Sequence, residues 1–343
     1  MATSNRIKWM TVMVSLLMIF SFFYGNSQDL HYSQFYNAHV NINPALTGIF
    51  NGDVRVAGNY RSQWKAVPVP YMTFTGAGDF KIYKRPDRSD FFGLGLVFNY
   101  DQAGDSKLSL GTLGIDGSYT TPLSKNNFLT FGGQVAFTRR AFSLDDLTFD
   151  NQWNGVQFVP TTAINEIFDQ TSKFIPDLSA GINYRWQKSA RTKLDFGFAG
   201  FHLNSPNDPF YTKDKSVKLP VRMALNALFT KQISNSVDII AHGIAQFQGS
   251  YKEILLGGGP KVYLNQARGK NYAIGLYGMY RFRDAIAPAL HIYLNELQFG
   301  ISYDINTSPW NVVTSHKGGP EISVTYIITK VKPLSQFKAC PIF

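Results

Sequence analysis

From about residue 53 onward, apolar residues alternate with polar or small ones in one short segment after another. A period of two sends successive side chains to opposite faces of a strand, so each segment carries one greasy face. Over 71–83, Met72, Phe74, Phe80 and Ile82 share a face against Thr73, Thr75, Asp79 and Lys81. Over 178–186, Leu178, Ala180, Ile182, Tyr184 and Trp186 oppose Ser179, Asn183 and Arg185. The same parity recurs at 221–229, 237–247, 272–282, 297–305 and 322–328. Less regular versions fill the gaps near 53–60, 91–101, 109–120, 128–139, 193–202, 253–263 and 286–294. The total is about fourteen, an even number as a closed single-chain barrel requires, and each segment is about ten residues, enough for a tilted strand to cross a bilayer.

A ladder of this kind hides its greasy face against a second sheet or turns it to lipid. The connections discriminate. With both chain ends on the periplasmic side, the odd connections face outward and include 61–70, 141–176, 203–218 and 306–319. The even ones, 85–90, 121–127, 187–192, 232–235 and 295–296, are short, although two further odd connections, near 248–252 and 283–285, are short as well. A sandwich has no reason to sort its loops by side, whereas an outer-membrane barrel does so. The fold expected is therefore all-β, a transmembrane outer-membrane β-barrel of about fourteen antiparallel strands. Tyr60, Tyr83, Phe91, Tyr119 and Trp186 fall at strand ends, where an interfacial aromatic girdle sits.

Two stretches fall outside the ladder. Residues 1–27 combine Arg6 and Lys8, an apolar run over 9–24 and a small, polar Gly25-Asn26-Ser27, the layout of a secretory signal peptide. Residues 28–50 have no period of two and contain Asn43-Pro44-Ala45. They are expected in the lumen or periplasm, as a plug-like segment ahead of a barrel over 51–343.

Composition adds little that conflicts. The 29 glycines, 15 % aromatic and 16 % charged residues suit membrane strands, and the lone Cys340 excludes an internal disulfide framework. The formal charge of +10 fits contact with anionic lipid or an acidic partner, and the export signal argues against a nucleic-acid ligand.

Candidate chemistry is sparse. The six histidines, His31, His39, His202, His242, His291 and His316, show no metal-ligand spacing, and no cofactor motif is present. Asp238 and His242 share a lumen face, with His291 also inward, but no nucleophile-elbow pattern accompanies them, so no enzyme activity is expected. Gly257-Gly258-Gly259 before Pro260 reads as a bend or bulge in a strand. Arg139-Arg140 reads as an interfacial anchor, and Lys213-Asp214-Lys215 as a solvated loop tip. Trp153, Phe158 and Phe168 are large apolar groups on the long 141–176 connection, where they either form a small core over the barrel mouth or meet a partner.

Several motifs go further. Gln28-Asp29-Leu30-His31-Tyr32-Ser33-Gln34-Phe35-Tyr36 is followed by Asn43-Pro44-Ala45-Leu46-Thr47-Gly48 and by Asn59-Tyr60-Arg61-Ser62-Gln63-Trp64. Pro320-Glu321-Ile322-Ser323 leads into the last strand, and the chain closes on Phe337-Lys338-Ala339-Cys340-Pro341-Ile342-Phe343. Together these resemble the PorP/SprF family of Bacteroidota outer-membrane proteins, over almost the whole chain after residue 27. The resemblance implies a barrel tied to the type IX secretion system and gliding motility. It implies a partner, a secreted adhesin with a type B C-terminal sorting domain that the barrel receives and anchors at the cell surface, alongside other secretion components and outer-membrane lipid. It implies no catalytic residue. Candidate partner-binding residues are Trp153, Phe158 and Phe168 on the loop and Tyr32, Phe35 and Tyr36 in the plug-like segment. The competing function is a passive or fatty-acid-type channel of similar strand number.

Overall fold

The computed structural model describes residues 29–63, 71–83, 90–166, 170–207, 218–267, 270–309 and 311–329. The apolar run 9–24, Trp64, Phe168, the 213–215 tip and the closing segment with Cys340 lie outside the described residues.

Fourteen strands pair antiparallel, each with its sequence neighbour, and the first closes on the last. They are β1 (Val54–Gln63), β2 (Tyr71–Tyr83), β3 (Phe91–Ala103), β4 (Leu108–Ser124), β5 (Asn127–Ala141), β6 (Ser172–Ser189) and β7 (Thr192–Phe201), followed by β8 (Arg222–Gln232), β9 (Val237–Gln248), β10 (Tyr251–Asn265), β11 (Tyr272–Arg281), β12 (Ala285–Leu294), β13 (Leu297–Asn306) and β14 (Lys317–Ile328). Closure runs from Val54 opposite Ile328 to Arg61 opposite Glu321. It leaves no unpaired edge, so the backbone polar groups are satisfied within the wall as a hydrocarbon environment demands.

The parity reading holds around the wall. Phe74, Phe80, Leu96, Ile115, Phe137, Leu225, Leu276, Phe299 and Val324 face outward, while Thr75, Asp79, Asp116, Asn183, Asn226 and Glu321 are buried on the inside. An apolar outside around a polar inside inverts a soluble barrel and matches one solvated by lipid. Phe91 departs from the expected girdle. Its neighbour Phe92 faces out, and Phe91 turns inward to pack on the lumen's apolar cluster.

The long connections sort as expected, with different limits. β6 starts at Ser172 and Pro176 sits opposite Phe137 inside the ladder, so the longest connection spans 142–171 rather than 141–176. It shares its end of the barrel with the connection 202–221 and with that between β13 and β14, which carries the helical turn Asn311–Thr314. Three tight connections, at 104–107, 249–250 and 282–284, also belong to this loop end. The opposite, turn end has the two-residue links 125–126, 190–191 and 295–296.

Gly257–Gly259 brings no change of register. The pairing of β10 with β9 runs unbroken through it, whereas that with β11 skips Gly259 and Pro260 and resumes at Lys261 in the same register. The register shift comes later, between Tyr263 and Asn265. Proline has no N–H to give, which accounts for the local loss of ladder.

Candidate functional site

The lumen is filled by the chain's own first described residues. The segment from Asp29 to Phe50 descends from the loop end to the turn end and there turns into β1. It is built of a 3-10 turn at Phe35–Asn37, a helical turn at His39–Ile42 and a 3-10 turn at Pro44–Leu46. Tyr32, Phe35, Val40, Ile42, Ala45 and Leu46 are all at most 4 % exposed.

The lower half rests in a cradle of glycines. Asn43 caps the last turn by accepting from the Ala45 N–H at 2.9 Å, with Pro44 in the first helical position, where its missing N–H costs nothing. The Asn43 amide donates to the Ile182 carbonyl at 3.0 Å and to Asn226 Oδ1 at 3.2 Å. Inward-facing Gly132, Gly181 and Gly197 lie so close that a Cβ on any of them would strike the backbone of Pro44 and Ala45 or the Asn43 amide. A Cβ on Gly93 would strike the Thr47 carbonyl, which also accepts from Ser118 Oγ at 2.7 Å. Gly48, in the left-handed region at φ +76, donates its N–H to Asp79 Oδ2 at 2.7 Å. Asp79 is paired in turn with Arg55, whose Nη2 also reaches the Leu46 carbonyl at 3.1 Å.

One side of the plug is apolar. Phe35, Ile42, Leu46 and Ile49 pack with Ile240, Ile244, Leu255, Tyr277 and Met279, which point inward from β9, β10 and β11. A lumen wall is ordinarily polar. These exceptions exist because the wall there faces plug rather than water.

The upper half is held by charge. Both carboxylate oxygens of the buried Glu321 accept backbone N–H groups, from Ser33 at 2.7 Å and Gln34 at 2.8 Å. Ser33 Oγ donates to Asp304 Oδ1 at 2.6 Å and accepts from Arg281 Nη2 at 2.8 Å. Arg61 pairs with Asp304 and donates to the His31 carbonyl at 2.8 Å. Tyr32 shares a hydrogen bond with Thr75 at 2.8 Å, and Tyr36 one with His291 at 2.9 Å. Buried ions persist only when paired and hydrogen-bonded, and each of these is engaged by the plug, the wall or both.

Above the plug, at the loop end, opens a vestibule of about 760 Å³. Asp29 stands on its floor, with Oδ2 3.1 Å from His202 Nε2 and 3.1 Å from Arg222 Nε. His202 lies in the connection after β7 and is fixed through Nδ1 by Asp177 at 2.8 Å. Burial works to lower the His202 pKa, but hydrogen bonds to Asp177 and Asp29 outweigh it and hold the imidazole at about 9. Burial likewise opposes ionisation of Asp29, yet Arg222 and His202 keep its carboxyl below the usual range.

The candidate residues separate into two groups. Tyr32, Phe35 and Tyr36 lie within the lumen, engaged by the barrel's own wall. Trp153 and Phe158 form an isolated antiparallel bridge on the long connection, 56 % and 41 % exposed, so they do not form a core over the mouth. Asp238 and His242 are inward but not joined. Asp238 binds Arg191 at 2.8 Å and Tyr263 at 2.8 Å, while His242 lies against the Tyr36 ring at 4.4 Å. Arg140 is not an interfacial anchor: it lines the vestibule. No cluster of metal-binding side chains occurs among the described residues. The glycine cradle and the cluster of Asp29 with His202 and Arg222 were not among the sequence-derived candidates. Parity on β3, β5, β6 and β7 puts those glycines inward, which was the available signal.

A closed fourteen-stranded barrel, apolar outside, with its lumen occupied by its own N-terminal segment, is an outer-membrane β-barrel protein. Residues 24–326 match the model of the family described as type IX secretion system membrane protein PorP/SprF, and the chain belongs to that family. Similar solved structures include the CymD monoaromatic hydrocarbon channel, at 10 % identity and TM-score 0.46 over 86 % of this chain and 93 % of that one. The P. putida toluene transporter TodX gives 8 % identity and TM-score 0.45 over 86 % and 95 % of the two chains. A Pseudomonas aeruginosa FadL homologue gives 13 % and 0.43 over 83 % and 92 %. No curated protein sequence matches the chain.

Proposed function

We propose that this barrel is a surface receptor of the type IX secretion system, exported by an N-terminal signal peptide, which retains a secreted adhesin by its type B C-terminal sorting domain. The observation that carries the reading is the pairing of a filled lumen with an apolar loop tip. A conduit needs a continuous path, and here the path is occupied from Tyr32 to Phe50 by buried chain. A receptor needs a surface, and the loop end has one. Trp153, Val156 and Phe158 stand out from a turn in which Asn154 Oδ1 accepts the N–H groups of Val156 at 2.9 Å and Gln157 at 2.8 Å. Exposed aromatic residues on an ordered turn are the composition of binding hot spots.

On this reading the loop end faces outward and the turn end faces the periplasm. Connection 142–171 lies outside the barrel ladder, so shortening it to a tight turn leaves the wall intact. The expected outcome is an assembled barrel and release of the sorting-domain protein from the cell surface into the medium, followed by immunoblotting of cells and supernatant. Full surface retention with an assembled, loop-shortened barrel would reject the loop as the holding element.

A further inference from the structure

We propose that His202 and Arg222 form a carboxylate-binding clamp on the vestibule floor, which the plug's own Asp29 occupies at rest and which a carboxylate of an incoming polypeptide takes over. The inference rests on the receptor reading only for the natural source of that carboxylate.

The clamp is built by the wall. His202 is held at φ +58, a left-handed conformation uncommon outside glycine, by its place in the turn after β7. Its ring is fixed from behind by Asp177. Arg222 donates through Nη1 to Gln246 Oε1 at 2.8 Å, and its guanidinium lies 4.0 Å from the Phe201 ring centroid. Its Nη2 reaches the Asn41 carbonyl of the plug at 3.2 Å. Neither cation therefore depends on Asp29 for its position.

Asp29 fills the clamp imperfectly. Its carboxylate lies 3.1 Å from Arg222 Nε, yet that buried nitrogen has no aligned hydrogen bond. A carboxylate not tethered through the plug is free to align with both groups, and charge-assisted bonds reward alignment. The charge balance points the same way. Without Asp29, His202 and Arg222 face a single wall carboxylate, Asp177. The other buried arginine of the vestibule, Arg281, is committed to Glu253, Asp284 and Asp304. Asp101, Glu253 and Asp284, which repel an anion, share the remaining vestibule wall with Arg140 and Lys252. The cavity, about 760 Å³, is of the size that encloses a ligand of several residues. Asp29 lies at the vestibule end of the plug and Asn43 in the glycine cradle below, so Asp29 can leave without unseating Asn43.

The test uses the full-length barrel purified in detergent and a glycine–serine hexapeptide, N-acetylated, with either a free or an amidated C-terminus. By calorimetry, Asp29→Asn is expected to bind the free-carboxylate peptide at least about tenfold more tightly than wild type, as the loss of one competing charge-assisted contact implies. The amidated peptide should not bind. In the wild type, saturating free-carboxylate peptide should increase proteolytic cleavage within the first residues of the plug, and the amidated peptide should not. Equal affinity of Asp29→Asn and wild type, equal binding of the two peptides, or an unchanged cleavage pattern would each overturn the clamp. None of these would touch surface retention of an adhesin. Loss of retention dependence on loop 142–171, with peptide binding intact, would instead fail the receptor reading alone.

Discussion

At the residue scale, the motifs scattered along the sequence are explained by where they meet. Tyr32 to Tyr36, Asn43 to Ala45, Arg61, Glu321 and Ser323 come together as a plug and its seat. Ser323 Oγ binds Gln34 and Asn37, and Glu321 binds the two N–H groups beside them. None of this was legible from the motifs singly, because a hydrogen bond between residues 34 and 321 leaves no periodic trace. The face assignment was legible, and it has a direct check. Leu225→Arg and Ile274→Arg put a charge on the lipid face, at a cost of about 2–4 kcal/mol near the bilayer midplane. Both should lower the yield of folded barrel, read by gel migration before and after heating. Thr138→Arg, pointing into the vestibule, should be tolerated. Asp238, although inward, is a poor control for this comparison, because a charge reversal there would oppose its partner Arg191.

His202 makes a second residue-scale prediction. Its folded pKa, about 9, lies above the ordinary value of about 6.5, so protonation favours the folded state. That contribution is fully present below about pH 6.5 and is lost as the pH rises through about 9. The wild-type melting temperature should therefore fall between pH 7 and 10 more steeply than that of His202→Asn, a replacement that tolerates the left-handed backbone. Parallel curves for the two proteins would remove the imidazolium from the account.

At the element scale, strands were easier to read than the segment inside them. The apolar–polar alternation is dictated by lipid on one side and a polar lumen on the other. It weakens where the lumen side is apolar as well, as in β10, where inward Leu255 sits beside outward Leu256. The irregularity of such strands was the imprint of the plug. Residues 29–50 have no period because their irregular turns follow the shape of the wall. The glycine cradle gives this element its test. Gly132→Val would push side-chain atoms into the backbone of Pro44 and Ala45, and overpacking of this kind costs about 1–3 kcal/mol. The β5 ladder is unaffected, so the barrel should assemble while protease cleavage within 29–50 rises. Cleavage unchanged from wild type would mean that the cradle does not hold the plug.

At the scale of the whole molecule, the fold is a wall with two independent tenants, a lumen segment and an outer loop. A wall of fourteen strands is too wide to be filled by its own side chains, so an element must be supplied to close it. The chain supplies one from the residues just ahead of β1. That choice separates the receptor reading from the channel reading, since both use the same barrel and differ in what occupies it. Conductance in planar lipid bilayers tests the difference most directly. The wild-type barrel should show no steady ion conductance, and a barrel lacking residues 29–50 should insert and conduct as an open pore. Steady conductance by the wild type equal to that of the deletion would contradict the closed-receptor account.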